Sequence, residues 1–235
     1  MGMWSTRDVW DDIDSAAWLS QTIDPSKRSS LASLLPPIFD SYVRILYPAE
    51  LEIDASHVQP VRWADAARAA GGIAHADMQW ESLTGSVPPR RQAWTFGPPR
   101  VNEVADDLIM SIAEALASYT QQPDSCFFAV WEGNTAIADL ANSYPLSGIG
   151  GLNYLLLHGS LSRAADTLRG LRPNLWWPAD RTWCVATHFD FDSAFVACPL
   201  AAGDDLVTNR SLEAWGMSPT ADITSNSDTL NSSRR

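Results

Sequence analysis

Lysine is almost missing from this 235-residue chain: Lys27 is the only one, and 16 basic residues stand against 28 acidic ones. The formal net charge of -12 repels phosphate backbones and anionic headgroups. Nucleic acid and membrane surfaces are therefore disfavoured as partners, and a protein with a basic surface is favoured. Cysteine is scarce as well. Cys126, Cys184 and Cys198 are odd in number and show no CxxC spacing, which argues against a disulfide framework and against a zinc site. Free thiols suit a reducing compartment, so the cytoplasm is the expected location. Asp8, Asp11, Asp12 and Asp14 occupy the region where a secretory signal needs basic residues and an apolar run. No apolar run approaches the roughly 20 residues of a membrane-spanning helix. Reaction motifs are lacking too: the chain has no nucleophile elbow, Walker loop or metalloprotease helix. Whether it is an enzyme stays open at this level, with the balance toward not, and no cofactor is expected.

What is present describes a folded chain. Hydrophobic residues make up 46% and charged residues 19%, the balance of a globular protein. Val9, Ile13, Ala16 and Ala17 recur at helical spacing and predict an amphipathic N-terminal helix. Phe39, Val43 and Ile45 alternate ahead of Pro48 and predict a strand. Trp63 to Ala70 reads as a helix closed by Gly71 and Gly72, and residues 85–100 as a Pro-rich loop carrying Arg90, Arg91 and Arg100. The stripe Val104, Leu108, Ile109, Ile112, Leu116, Tyr119 predicts a helix capped by Asn102. Ser160 or Ser162 is placed to cap another ending near Leu168. Strands are expected at 126–131, 154–158, 183–191 and 194–198, the last two forming a hairpin because the gap between them is short. Gly148 to Gly151 reads as a loop. The fold class that follows is α+β, a mixed, largely antiparallel sheet with helices packed on it. One domain with a helical N-terminal region is expected over residues 1–217. The Ser/Thr/Asn-rich segment 218–235 is expected to be a disordered tail.

Val61-Arg62-Trp63-Ala64, Met78-Gln79-Trp80 and the segment Pro173 to Thr187 (PNLWWPADRTWCVAT) with Asp190-Phe191-Asp192 resemble a group of uncharacterised proteins from high-GC bacteria. The resemblance spans roughly residues 35–215. It implies a single intracellular domain and carries no known activity, cofactor or catalytic residue.

Two clusters are candidates for function. Trp176, Trp177 and Trp183 with Arg181 form an aromatic and arginine patch of the kind in which binding hot spots concentrate. Adjacent tryptophans on a strand point to opposite faces, so at least one is expected at a surface, a groove or a partner. The bland reading is a core corner. The second cluster is His188, Asp190 and Asp192, which a strand would send to one face at steps of roughly 7 Å, where a divalent metal could bind with outside ligands. Its bland reading is the solvated side of a half-buried strand. The leading functional expectation is a non-enzymatic protein-binding domain, of the interaction or immunity kind, that recruits or neutralises a partner with a basic surface. The alternative is a small metal-dependent hydrolase using the His188, Asp190, Asp192 face. Oligomeric state is not legible.

Overall fold

The computed structural model describes residues 2–27, 29–54, 57–84, 96–101 and 104–232. Its strands are β1 (Ser41–Leu46), β2 (Ala49–Asp54), β3 (His57–Val61), β4 (Phe96–Gly97), β5 (Cys126–Trp131), β6 (Ser147–Ile149), β7 (Leu152–Gly159), β8 (Leu175–Pro178), β9 (Cys184–Ala186), β10 (Ser193–Cys198) and β11 (Ala214–Met217). The α-helices are α1 (Ala17–Thr22), α2 (Trp63–Ala70), α3 (Trp80–Thr84), α4 (Asp106–Ala117), α5 (Ala138–Ala141), α6 (Leu200–Thr208) and α7 (Thr229–Ser232). Eight strands form one sheet in the order β11-β1-β10-β9-β8-β5-β7-β6, and every neighbouring pair is antiparallel. The fold is thus α+β with a largely antiparallel sheet, as the periodicity predicts.

Both faces of this sheet are covered, which explains the unbroken apolar runs Cys126–Val130 and Tyr154–Leu157. Along β5 the side chains alternate between two cores. Cys126, Phe128 and Val130 join α4, α6 and Trp4, while Phe127 and Ala129 join Trp18, Leu19, Leu31 and Leu35. A third core gathers Trp63, Met78, Trp80 and Leu83 under α2 and α3.

Several local expectations hold in detail. Helix α2 ends on Gly71, whose φ of 69° is the left-handed conformation that glycine adopts without a Cβ clash. Gly150 and Gly151, with φ of 57° and 85°, make the two-residue turn that joins β6 to β7. Of the loop expected at Gly148 to Gly151, only Gly150 and Gly151 are turn, while Gly148 and Ile149 belong to β6. The hairpin of β9 and β10 forms in the register Cys184↔Ala197. Cys184 and Cys198 sit on opposite sheet faces, and all three thiols are free and buried. Burial pushes the Cys126 and Cys198 thiols up to about 12.

Other expectations are corrected. The N-terminal helix starts only at Ala17, preceded by 3-10 turns at Thr6–Asp8 and Ile13–Ala16. Val9 instead makes a bridge to Leu157, because the sheet offers it an edge that a lone short helix does not. Ser160 caps only the 3-10 turn Leu161–Arg163. Helix α4 has Ala105 at its N-cap; Asn102, like residues 85–95 with Arg90 and Arg91, lies outside the described residues. Helix α2 has no cap of its own and takes one from across the chain: Glu213 accepts the Trp63 and Ala64 N–H groups at 2.6 and 2.7 Å. Glu213→Ala is expected to cost about 1 kcal/mol, read as a shift in the urea midpoint with unchanged m-value.

The largest correction concerns the C-terminal segment. In place of a disordered tail, residues 218–232 follow a defined path across the fold. Leu31 and Ala32 donate to the Ala221 and Pro219 carbonyls at 3.0 and 2.9 Å, and Ile223 donates back to Ser29 at 2.9 Å. Ile223 is buried in the core beside Leu31 and Leu35, and Asp228 and Asn231 are buried against residues 73–79. Low hydrophobicity predicts disorder when a segment must pay its ordering entropy through apolar burial alone. Here backbone pairing and one buried carboxylate network supply the rest.

Candidate functional site

The aromatic and arginine patch is not a surface. Trp176, Trp177 and Trp183 are fully buried. Trp176 packs on Phe128 and Trp183, while Trp177 stacks on Phe127 and meets Trp18 edge-on. The two adjacent indoles do point to opposite faces, but each face has its own core, so neither needs a partner. Only Arg181 stays exposed, at a left-handed φ of 58°, with its guanidinium 5.9 Å from the Trp18 ring. Asp180 is held elsewhere: it accepts from Thr120 Oγ1 at 2.7 Å, the Gln121 N–H at 2.8 Å and Thr182 Oγ1 at 2.9 Å. Burial pushes its carboxyl up, and these hydrogen bonds outweigh that and leave it below the ordinary value.

The His188, Asp190, Asp192 strand face does not form either. Strand β9 stops at Ala186: the Thr187 N–H makes one more bond in register with β8, to the Asn174 carbonyl at 2.7 Å, and a tight turn follows, closed by Phe191 N–H to His188 O at 3.2 Å. His188 and Asp190 stay together, while Asp192 leaves them. His188 Nδ1 accepts the Asp190 N–H at 3.3 Å and lies 3.8 Å from the Asp190 carboxylate, which is largely exposed. Asp192 pairs with Arg44, with Nη2 to Oδ1 at 3.2 Å. Among the described residues no group of three or more His, Cys, Asp or Glu is placed to hold a metal ion.

The turn nevertheless brings His188 to a cleft of about 370 Å³ at the end of the sheet. Trp131 and Phe189 stack in its wall with centroids 4.5 Å apart, beside Val104, Val130 and Leu171. The polar lining includes Tyr47, Asn134, Arg172, Asn174, Thr187 and His188. Asn174 Oδ1 accepts the Trp131 N–H at 2.9 Å, and Thr187 Oγ1 donates to the Pro173 carbonyl at 2.7 Å. Arg172 pairs with Asp106 and donates from Nη1 to the Ala165 carbonyl at 2.8 Å. Burial pushes the His188 imidazole down, against an upward pull from Asp190, so the ring is neutral at pH 7. Burial and the nearby Asp192 carboxylate push the Tyr47 hydroxyl above its ordinary value, so it keeps its proton. Apart from His188, no residue of this cleft belongs to a sequence-predicted site. Tyr47, Trp131 and the pair Arg172 and Asn174 come from three separate segments, and no spacing in the sequence links them.

A second feature reaches out from the third core, in which Ala49 at the start of β2 is buried. Strands β2 and β3 form a hairpin that pairs with β4 and with no strand of the large sheet. On it Ile53 and Val58 stand 60% and 50% exposed. Asp54 lies 3.7 Å from His57 across the hairpin end, and Glu50 pairs with Arg100. Compared with protein-family models, curated proteins and solved structures, the chain matches none.

Proposed function

We propose that this chain is a non-enzymatic binding domain of the cytoplasm that engages a partner protein with a basic surface. The observation that carries this reading is the β2–β3 hairpin. Large apolar side chains in contact with water contribute nothing to the core, and on this arm Ile53 and Val58 are exposed beside carboxylates in a chain of net charge -12. Among the described residues β3 has β2 as its one neighbour, so its other edge offers unpaired backbone groups to an added strand. The acidic balance of the chain favours encounter with a basic surface. Three buried free thiols and, among the described residues, no helix long and apolar enough to cross a membrane support the assignment to the cytoplasm.

The test is a cross-linked pull-down from the native host with the wild type and with the double variant Ile53→Lys, Val58→Lys. Both positions are exposed, so the variant is expected to keep its stability within about 0.5 kcal/mol. The expected result is a partner that the wild type holds, that high salt weakens, and that the variant loses. An identical set of captured proteins with both forms would overturn the assignment of the arm.

A further inference from the structure

The geometry points to the cleft beside His188 as a binding site for a small organic carboxylate with a flat apolar body. It is independent of the protein-binding reading and rests on different residues. Its first support is charge. Among the described residues no carboxylate lines this cleft, while Arg172, which is paired with Asp106, does. Asp190, which follows His188 by two positions, lines the neighbouring cavities instead.

The second support is a set of donors that the fold leaves unused. Tyr47 is only 4% exposed, and its hydroxyl makes no hydrogen bond to any described residue. Asn174 is 8% exposed; its Oδ1 is taken by the Trp131 N–H, which leaves the two Nδ2 hydrogens without a partner among the described residues. The Asp190 N–H on His188 Nδ1 makes that nitrogen the acceptor, so the proton of the neutral ring sits on Nε2, which also has no described partner. These three donors are not sealed from solvent, and together around one cleft they are open to an acceptor-rich occupant. A carboxylate presents about four lone-pair sites in one plane and accepts strongly from neutral donors.

The third support is the wall. Trp131 and Phe189 lie nearly parallel, with an interplanar angle of 22°, and Val104, Val130 and Leu171 complete an apolar surface. A bare inorganic anion would leave that surface facing water, whereas an aryl or indolyl body would cover it. The volume is within the range of small-molecule sites.

The test is titration of the full-length protein with indole-3-acetate, phenylacetate, indole-3-acetamide and inorganic phosphate at constant ionic strength, followed by calorimetry and by NMR of the indole N–H signals. We expect saturable binding of an arylacetate, a shift of the Trp131 signal identified by its loss in Trp131→Phe, and no competition by phosphate. The neutral acetamide should bind at least tenfold more weakly than the acid. Tyr47→Phe keeps the buried ring and removes only the hydroxyl, so it should weaken the acid by about tenfold while the thermal midpoint stays close to that of the wild type. The proposal is overturned if no carboxylate binds at millimolar concentration, if the amide or phosphate binds as well as the acid, or if Tyr47→Phe leaves the affinity unchanged. None of these outcomes bears on the hairpin arm, whose pull-down reads a different surface.

Discussion

Arg44→Ala is expected to destabilise the protein by about 3–5 kcal/mol, the largest effect of any single substitution considered for this chain. Arg44 sits in the middle of β1, and its side chain is 4% exposed. The guanidinium donates to Ser193 Oγ at 2.9 Å, to the Ala76 and Met78 carbonyls at 3.0 and 2.8 Å, and to Asp192 Oδ1 at 3.2 Å. It also lies 5.5 Å from the Trp63 ring. Burial pushes its pKa down and Asp192 pulls it back up, and the group remains a cation. It therefore ties the sheet to residues 76–78 and, through Asp192, to the turn after β9. Alanine would remove all four donated bonds and leave Asp192 as a half-buried carboxylate without its cation. Chemical denaturation of Arg44→Ala, Asp192→Asn and the double variant measures the coupling. A coupling near zero would mean that the carbonyl contacts alone hold Arg44, and that Asp192 is free for another role.

The second large effect belongs to the C-terminal segment. The Asp228 side chain is fully buried and accepts from the Gln79 N–H at 3.1 Å, the Asn231 N–H at 2.9 Å and Asn231 Nδ2 at 2.9 Å, with His75 Nε2 at 3.0 Å. Asp228→Ala leaves several buried donors unpaired and is expected to cost about 3 kcal/mol. Truncation after Met217 should cost more, because it also uncovers the apolar surface under Ile223 and breaks the pairing with residues 29–32. The pH dependence has a definite sign. Burial pushes the Asp228 carboxyl up, but the hydrogen bonds from Asn231, Gln79 and His75 hold it below its ordinary value of 3.8. A carboxyl depressed in the folded state stabilises fully above its unfolded pKa, and that contribution is lost as pH falls through the folded pKa. The wild type and Asp228→Asn should therefore differ most above about pH 4 and converge in more acidic solution. Equal stability of the two at pH 7, or unchanged protease resistance after truncation, would contradict the docked segment.

Much of the architecture was legible because period and punctuation are local. Helix α2 could be read to the residue from its apolar spacing and the glycines that follow it. Helix α4 was legible from a single stripe, and the β9–β10 hairpin from two apolar runs with a short gap. The tail misled because its anchoring residues, Ile223, Asp228 and Asn231, are isolated in a polar stretch. Apart from the local pairing of Asp228 with Asn231, each is stabilised by residues some 150 or more positions away. Arg44 carried a weak signal, a lone charge inside an apolar strand, that points to a buried partner without naming it.

The candidate sites fared differently, for one reason. Their assignment depended on how far β9 extends and on whether the sheet has one covered face or two, and neither is a property of any single segment. Spacing and composition alone determined the α+β class, helices α2 and α4, strands β1, β5, β7 and β10, and the acidic balance, since each follows from nearby residues or from composition. The tertiary structure decided that the tryptophans are core and that His188 turns away from Asp192. It also decided that Tyr47 meets Asn174 and His188 in one cleft, because the antiparallel sheet brings the end of β1 beside strand ends that lie more than a hundred residues further along the chain.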